Sequence, residues 1–117
     1  MPNMLVALGA LNGLISVAAG AFGAHGLRDK LDARSLEIFE TAARYQMYHA
    51  FAMILCGMLA TRATAAGWAF QIGIVIFSGS LYALALTGTK GLGAITPIGG
   101  LAFLVGWALL AWTAWRA

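Results

Sequence analysis

Glu40 and Arg44 stand four residues apart with the acid on the N-terminal side, the better order for an ion pair on a helix. Tyr45 and His49 repeat that spacing one residue later. Ionisable side chains inside an apolar stretch are candidate sites for moving an ion or proton. The same pair read as structure alone neutralises itself at the lipid boundary and fixes the depth of its helix. His25 and His49 raise a second chemistry, metal or haem. They are 24 positions apart, and neither has a cysteine or carboxylate beside it in a recognised ligand pattern. Paired axial haem ligands would also need matched depths on facing helices. No metal and no cofactor is therefore expected. His25 is expected to cap the final carbonyls of the helix before it, and His49 to hydrogen-bond across helices. The Gly-rich run Gly20 to Gly26 lacks the GKS or GKT ending of a phosphate loop and follows an apolar tract, not a strand. Without a Ser-His-Asp order, paired catalytic carboxylates, HExxH or CxxC, no catalytic residue is assigned.

The elements that position these residues follow from composition. Of 117 residues, 62% are hydrophobic and 9% charged, where an ordinary soluble domain carries roughly 25% charged. Seven basic and four acidic side chains cannot cover a soluble globule of this size, so lipid is the expected solvent. Residues 1–117 form a single domain. Crossing a hydrocarbon core of about 30 Å takes roughly 20 apolar residues in a helix, and four tracts qualify: Met4 to Ala24, Ala33 to Ala60, Trp68 to Leu86, and Pro97 to Trp115. Short connections force antiparallel neighbours. The fold class is accordingly all-α, an integral membrane four-helix antiparallel bundle. The first tract reads as a retained span; Met1 to Asn3 carries no Lys or Arg, although Ala19 to Ala21 imitates a signal cleavage site.

The second helix starts amphipathically, with Asp32 as N-cap and Leu36, Phe39 and Ala43 as its apolar stripe. Only 17 uncharged residues separate Arg44 from Arg62, about 25 Å of helix, so Arg44 must snorkel or be paired. Four spans put both termini on the side of Arg62 and Arg116, while Arg28, Lys30, Arg34, Arg44 and Lys90 mark the opposite side as cytoplasmic. The termini then face outward. The net charge of +3 is accounted for by orientation and calls for no nucleic-acid partner. Cys56, the single cysteine, packs as a small hydrophobe.

Helices in lipid associate through close backbone approach and interhelical hydrogen bonds. Gly9, Gly13, Ser16, Gly20 and Gly23 form one stripe on the first helix, and Gly99, Ala102 and Gly106 another on the last. The run Ser78, Gly79, Ser80 in the third would let a neighbour pass closely or let the helix distort. Trp68, Trp112 and Trp115 suit interfacial anchors, with Trp107 deeper. The bundle also gathers its distinctive polar residues: His25, Glu40, Arg44, Tyr45, Tyr48, His49, Ser78, Ser80 and Tyr82 share one half of the membrane. Asn12 and Gln71 are the main polar exceptions in the other half.

Four blocks carry a resemblance: GAFGAHGL (Gly20 to Leu27), FETAARYQMYHA (Phe39 to Ala50), FSGSLYALALTG (Phe77 to Gly88) and TPIGGLAFLVGW (Thr96 to Trp107). Together they resemble the YgdD/YwdK-like family of small bacterial inner-membrane proteins, a domain of unknown function. The resemblance covers nearly the whole chain. It implies a four-helix, multi-pass protein of the bacterial inner membrane and transfers no reaction, substrate or catalytic residue. The expected role is non-enzymatic: a scaffold or modulator of envelope properties that packs against membrane lipids, itself or a membrane-protein partner. Arg28, Lys30 and Arg34 could attract anionic headgroups. The alternative is a transporter or channel for a small solute or proton, with Glu40 and His49 serving as its ionisable groups.

Overall fold

Asn3 opens the first helix and also holds it in place. Its side-chain oxygen accepts from the Val6 amide at 3.2 Å, capping α1 (Met4–His25), while its Nδ2 donates to the Gly57 carbonyl at 2.9 Å near the end of α2 (Ala33–Met58). The computed structural model describes residues 3–116, with Ala60 and Thr61 described by their backbone alone. Asp32 caps α2 as its residue type and position predict: Oδ1 accepts from the Ser35 amide at 2.7 Å. Hydrogen bonds from the Ser35 backbone and hydroxyl hold the Asp32 carboxyl below the usual carboxylate range.

α2 ends at Met58, two residues before the expected limit, and a 3-10 turn, Ala60–Ala63, leads into α3 (Thr64–Thr87). The third helix thus begins before Trp68. Ala63, Ala66 and Gly67 are buried there, and small residues give close packing that hydropathy alone undervalues. α3 contains one π-helical turn, Ile74–Ser78, in which the Gly79 amide reaches back five residues to the Ile74 carbonyl. It stops at Gly88, whose φ of 70° is the left-handed conformation glycine adopts without a Cβ penalty. A second 3-10 turn, Lys90–Ala94, precedes α4 (Thr96–Arg116), which carries Pro97 in its first turn.

Among the described residues four helices form an antiparallel bundle 49 Å long, in which α1 lies on α2, α2 on α3, and α3 on α4. Three of them are long and apolar enough to cross a membrane: α1, α3, and α4 with the turn before it. This corrects the expectation that all four tracts qualify by themselves. α2 is the central helix, so its polar residues Gln46 and His49 meet protein and are buried. Its mean hydropathy is lowered partly by these two buried groups and partly by exposed charges such as Glu40 and Arg44 near its start. The outward faces are apolar, as Leu14 and Leu104, each 67% exposed, illustrate. Lipid, not water, is the medium such a surface suits. One core cluster centres on Met53, Phe70 and Phe103 toward the chain termini, and a smaller one on Leu27, Phe39 and Ala85 at the other end.

Candidate functional site

Small residues set how closely the helices meet. A Cβ on Gly9 would come within 2.9 Å of the Ala50 carbonyl, and one on Gly23 within 2.9 Å of the Phe39 ring. Between them the Ser16 hydroxyl donates to the Ala43 carbonyl at 2.6 Å. Gly13 has only an ordinary contact with Met47, and Gly20 faces open space. On α4, Gly106 lies against the Phe70 ring and Gly99 against the backbone of Phe77, inside the π turn of α3. The Ser78 to Ser80 region therefore adjoins both features its sequence allows, a distorted helix and a close neighbour.

That spacing brings three carboxamides and a phenol into one hydrogen-bonded chain. Tyr82 Oη donates to Gln46 Oε1 at 2.8 Å, Gln46 Nε2 to Asn12 Oδ1 at 3.0 Å, and Asn12 Nδ2 to Gln71 Oε1 at 2.8 Å. Asn12 Nδ2 also reaches the Leu8 carbonyl at 2.9 Å. The chain links α1, α2 and α3 through the middle of the bundle. No buried side-chain nitrogen or oxygen among the described residues lacks a hydrogen-bond partner. Sequence reasoning singled out Asn12, Gln71 and Tyr82 separately and passed over Gln46. The signal for the network was one carboxamide near the middle of each of three successive helices, where lipid offers no partner.

His49 bonds across helices as expected: Trp107 Nε1 donates to its Nε2 at 3.1 Å, and its Nδ1 lies 2.8 Å from the Tyr45 carbonyl. The ring that satisfies both contacts carries its proton on Nδ1. It stacks on Phe103 with centroids 3.6 Å apart and planes 7° from parallel. Ser78 Oγ donates to the Ala42 carbonyl at 2.8 Å, and the Ser80 and Thr96 hydroxyls meet at 2.6 Å. Glu40 and Arg44 form the ion pair their spacing predicts, 2.6 Å long, with side chains 68% and 49% exposed. Tyr45 packs its ring on Phe77 and Tyr48 at the bundle surface. His25 is exposed at the end of α1. The Phe22 carbonyl there receives the Gly26 and Leu27 amides, so backbone groups serve the cap expected of the imidazole.

The nine polar residues thus divide among separate environments. His49, Ser78, Ser80 and Tyr82 bond into the packed interior, while His25, Glu40, Arg44, Tyr45 and Tyr48 lie on the surface. Glu40 borders two shallow hollows between α1 and α2, about 440 and 320 Å³, floored at Gly20. Among the described residues no three His, Cys, Asp or Glu side chains are grouped to hold a metal ion. Cys56 is a buried free thiol.

Comparison with known proteins agrees with the resemblance read from the four blocks. Residues 19–100 match the model of a family described as "Protein of unknown function (DUF423)". A UPF0382 membrane protein of Staphylococcus epidermidis is 50% identical over 112 residues, spanning 92% of both chains. The UPF0382 membrane protein YwdK of Bacillus subtilis is 44% identical over 114 residues, 92% of this chain and 93% of its own. No solved structure matches.

Proposed function

We propose a function from the premise that this chain belongs to the DUF423 family, the family of the UPF0382 membrane proteins. It is a small helical membrane protein, and we assign it a non-enzymatic role carried by its outer surface. It acts as a packed element that associates with membrane lipids, with further copies of itself or with a membrane-protein partner. Its place is the bacterial inner membrane with the termini outside, the orientation favoured by five basic residues against two. The observation that carries this reading is the spent interior. Tyr82, Gln46, Asn12 and Gln71 bond to one another, and among the described residues no buried side-chain nitrogen or oxygen is left without a partner.

The transport alternative needs Glu40 and His49 to act together. They lie nine residues apart on one helix, about two and a half turns, which sets them on opposite faces roughly 13 Å apart along the axis. Glu40 is exposed and His49 is stacked on Phe103 inside. In vesicles holding the purified protein and an internal pH dye, proton flux is expected to equal that of protein-free vesicles. Flux above that level, lost in both Glu40→Gln and His49→Ala, would overturn this reading in favour of transport.

A further inference from the structure

At the end of the bundle opposite the α1 to α2 connection, the turn Ala60–Ala63 and the last residues of α4 border an open hollow of about 750 Å³, lined by Arg62, Trp112, Thr113, Trp115 and Arg116. We propose that this hollow binds the phosphodiester headgroup of an anionic phosphoglyceride, such as phosphatidylglycerol, between the guanidinium groups of Arg62 and Arg116. The proposal builds on the surface-directed role above and commits that surface to one class of ligand at one place.

Charge is the first ground. The four acidic residues of the chain all fall between Asp29 and Glu40, in the α1 to α2 connection and the start of α2. From Glu40 to Met58 is eighteen residues, about 27 Å of helix, well beyond a screening length of about 10 Å. Arg62 and Arg116 therefore share a concave surface that no acidic side chain of this chain neutralises. Arginine is also the side chain best fitted to a phosphate, since its planar fork can donate two parallel hydrogen bonds.

Placement is the second. Arg62 and Arg116 are distant in sequence and are brought to one hollow by the fold. The Thr113 hydroxyl donates to the Arg62 carbonyl at 3.3 Å, tying the turn to α4. The Arg116 guanidinium stands 5.5 Å from the centroid of the Trp112 ring, a cation–π distance that holds the side chain over the hollow. Trp112 and Trp115 are 57% and 86% exposed and suit the membrane–water boundary, where headgroup phosphates lie.

The hollow also discriminates among headgroups. A zwitterionic phosphatidylcholine brings a quaternary ammonium that the two guanidinium groups repel; no Asp or Glu lines the hollow to offset this, and the Trp112 face that could receive it already carries Arg116. Phosphatidylglycerol brings the phosphate without that cation. Two basic residues near a membrane surface should favour the anionic lipid by about tenfold or more.

Native mass spectrometry of the full chain in detergent, titrated with phosphatidylglycerol and phosphatidylcholine of matched acyl chains, tests this. Preferential retention of phosphatidylglycerol is expected, abolished in Arg62→Gln/Arg116→Gln and kept in Lys90→Gln, with all proteins equally helical and equally heat-stable. Equal retention of the two lipids would overturn the proposal. So would a preference that survives the first double variant, or displacement of the lipid by an equal concentration of inorganic phosphate. None of these results bears on proton flux, so failure here leaves the reading of the interior to its own test.

Discussion

Gly99→Ala is expected to destabilise the folded bundle by about 3 kcal/mol, the upper range for overpacking a tight contact. The added methyl would fall on the amide nitrogen and Cα of Phe77. A ring or a methionine tip can swing aside, but backbone within the π turn Ile74–Ser78 moves only with the helix around it. Gly20→Ala is the matched comparison. It is the same chemical change in another membrane helix, with nothing within 4 Å of the new methyl. Helix propensity alone should then leave it neutral or more stable by up to about 1 kcal/mol. Reversible unfolding in mixed detergent micelles, followed by far-UV circular dichroism, gives both values. Equal effects of the two substitutions would mean that α3 and α4 do not approach through Gly99.

Asn12→Leu carries the second largest expected cost, about 2 kcal/mol. Asn12 joins Gln46 to Gln71, and removing it strands the Nε2 of a Gln46 that is only 4% exposed. Individual hydrogen bonds in membrane bundles average about 0.6 kcal/mol, but a buried donor left without a partner adds about 1–3 kcal/mol. Gln46→Leu should cost a similar amount because it strands Tyr82 and Asn12. The double variant Asn12→Leu/Gln46→Leu should cost less than the sum by about 1 kcal/mol, since each change removes a group the other had orphaned. Strict additivity in the same unfolding measurement would mean that the two amides do not depend on each other.

Three of the four rods were legible in the sequence because hydropathy and charge-free length decide them. The Asp32 cap and the Glu40 to Arg44 pair were legible because both are local, fixed by spacings of three and four residues. Within the Gly9 to Gly23 stripe the structure distinguishes Gly9, pressed on Ala50, from Gly20, which touches nothing, a difference that spacing alone does not give. Hydropathy fails where polar residues have protein for a neighbour. It counts Gln46 and His49 against a span, when their place on the central helix makes them cross-links. The grouping of nine polar residues in one half of the membrane followed from topology, but depth alone does not say which way a side chain turns. Helical periodicity does: Glu40 and His49 point apart because nine residues make a half-integral number of turns. The partners of Asn3 and Thr113 lie more than 50 positions away, and no local pattern announces contacts of that range.

The closed interior can be probed with one thiol. Ser78 is 1% exposed and bonded to the Ala42 carbonyl deep between α2 and α3. Ser78→Cys, in a chain whose own Cys56 is replaced by Ser, places a near-isosteric reporter there. In sealed vesicles treated with a membrane-impermeant maleimide from either face, no labelling is expected until the protein is unfolded in SDS, after which it should be complete. Rapid labelling of the folded protein from either aqueous face would reveal a water-filled route into the bundle and contradict a packed, self-satisfied interior.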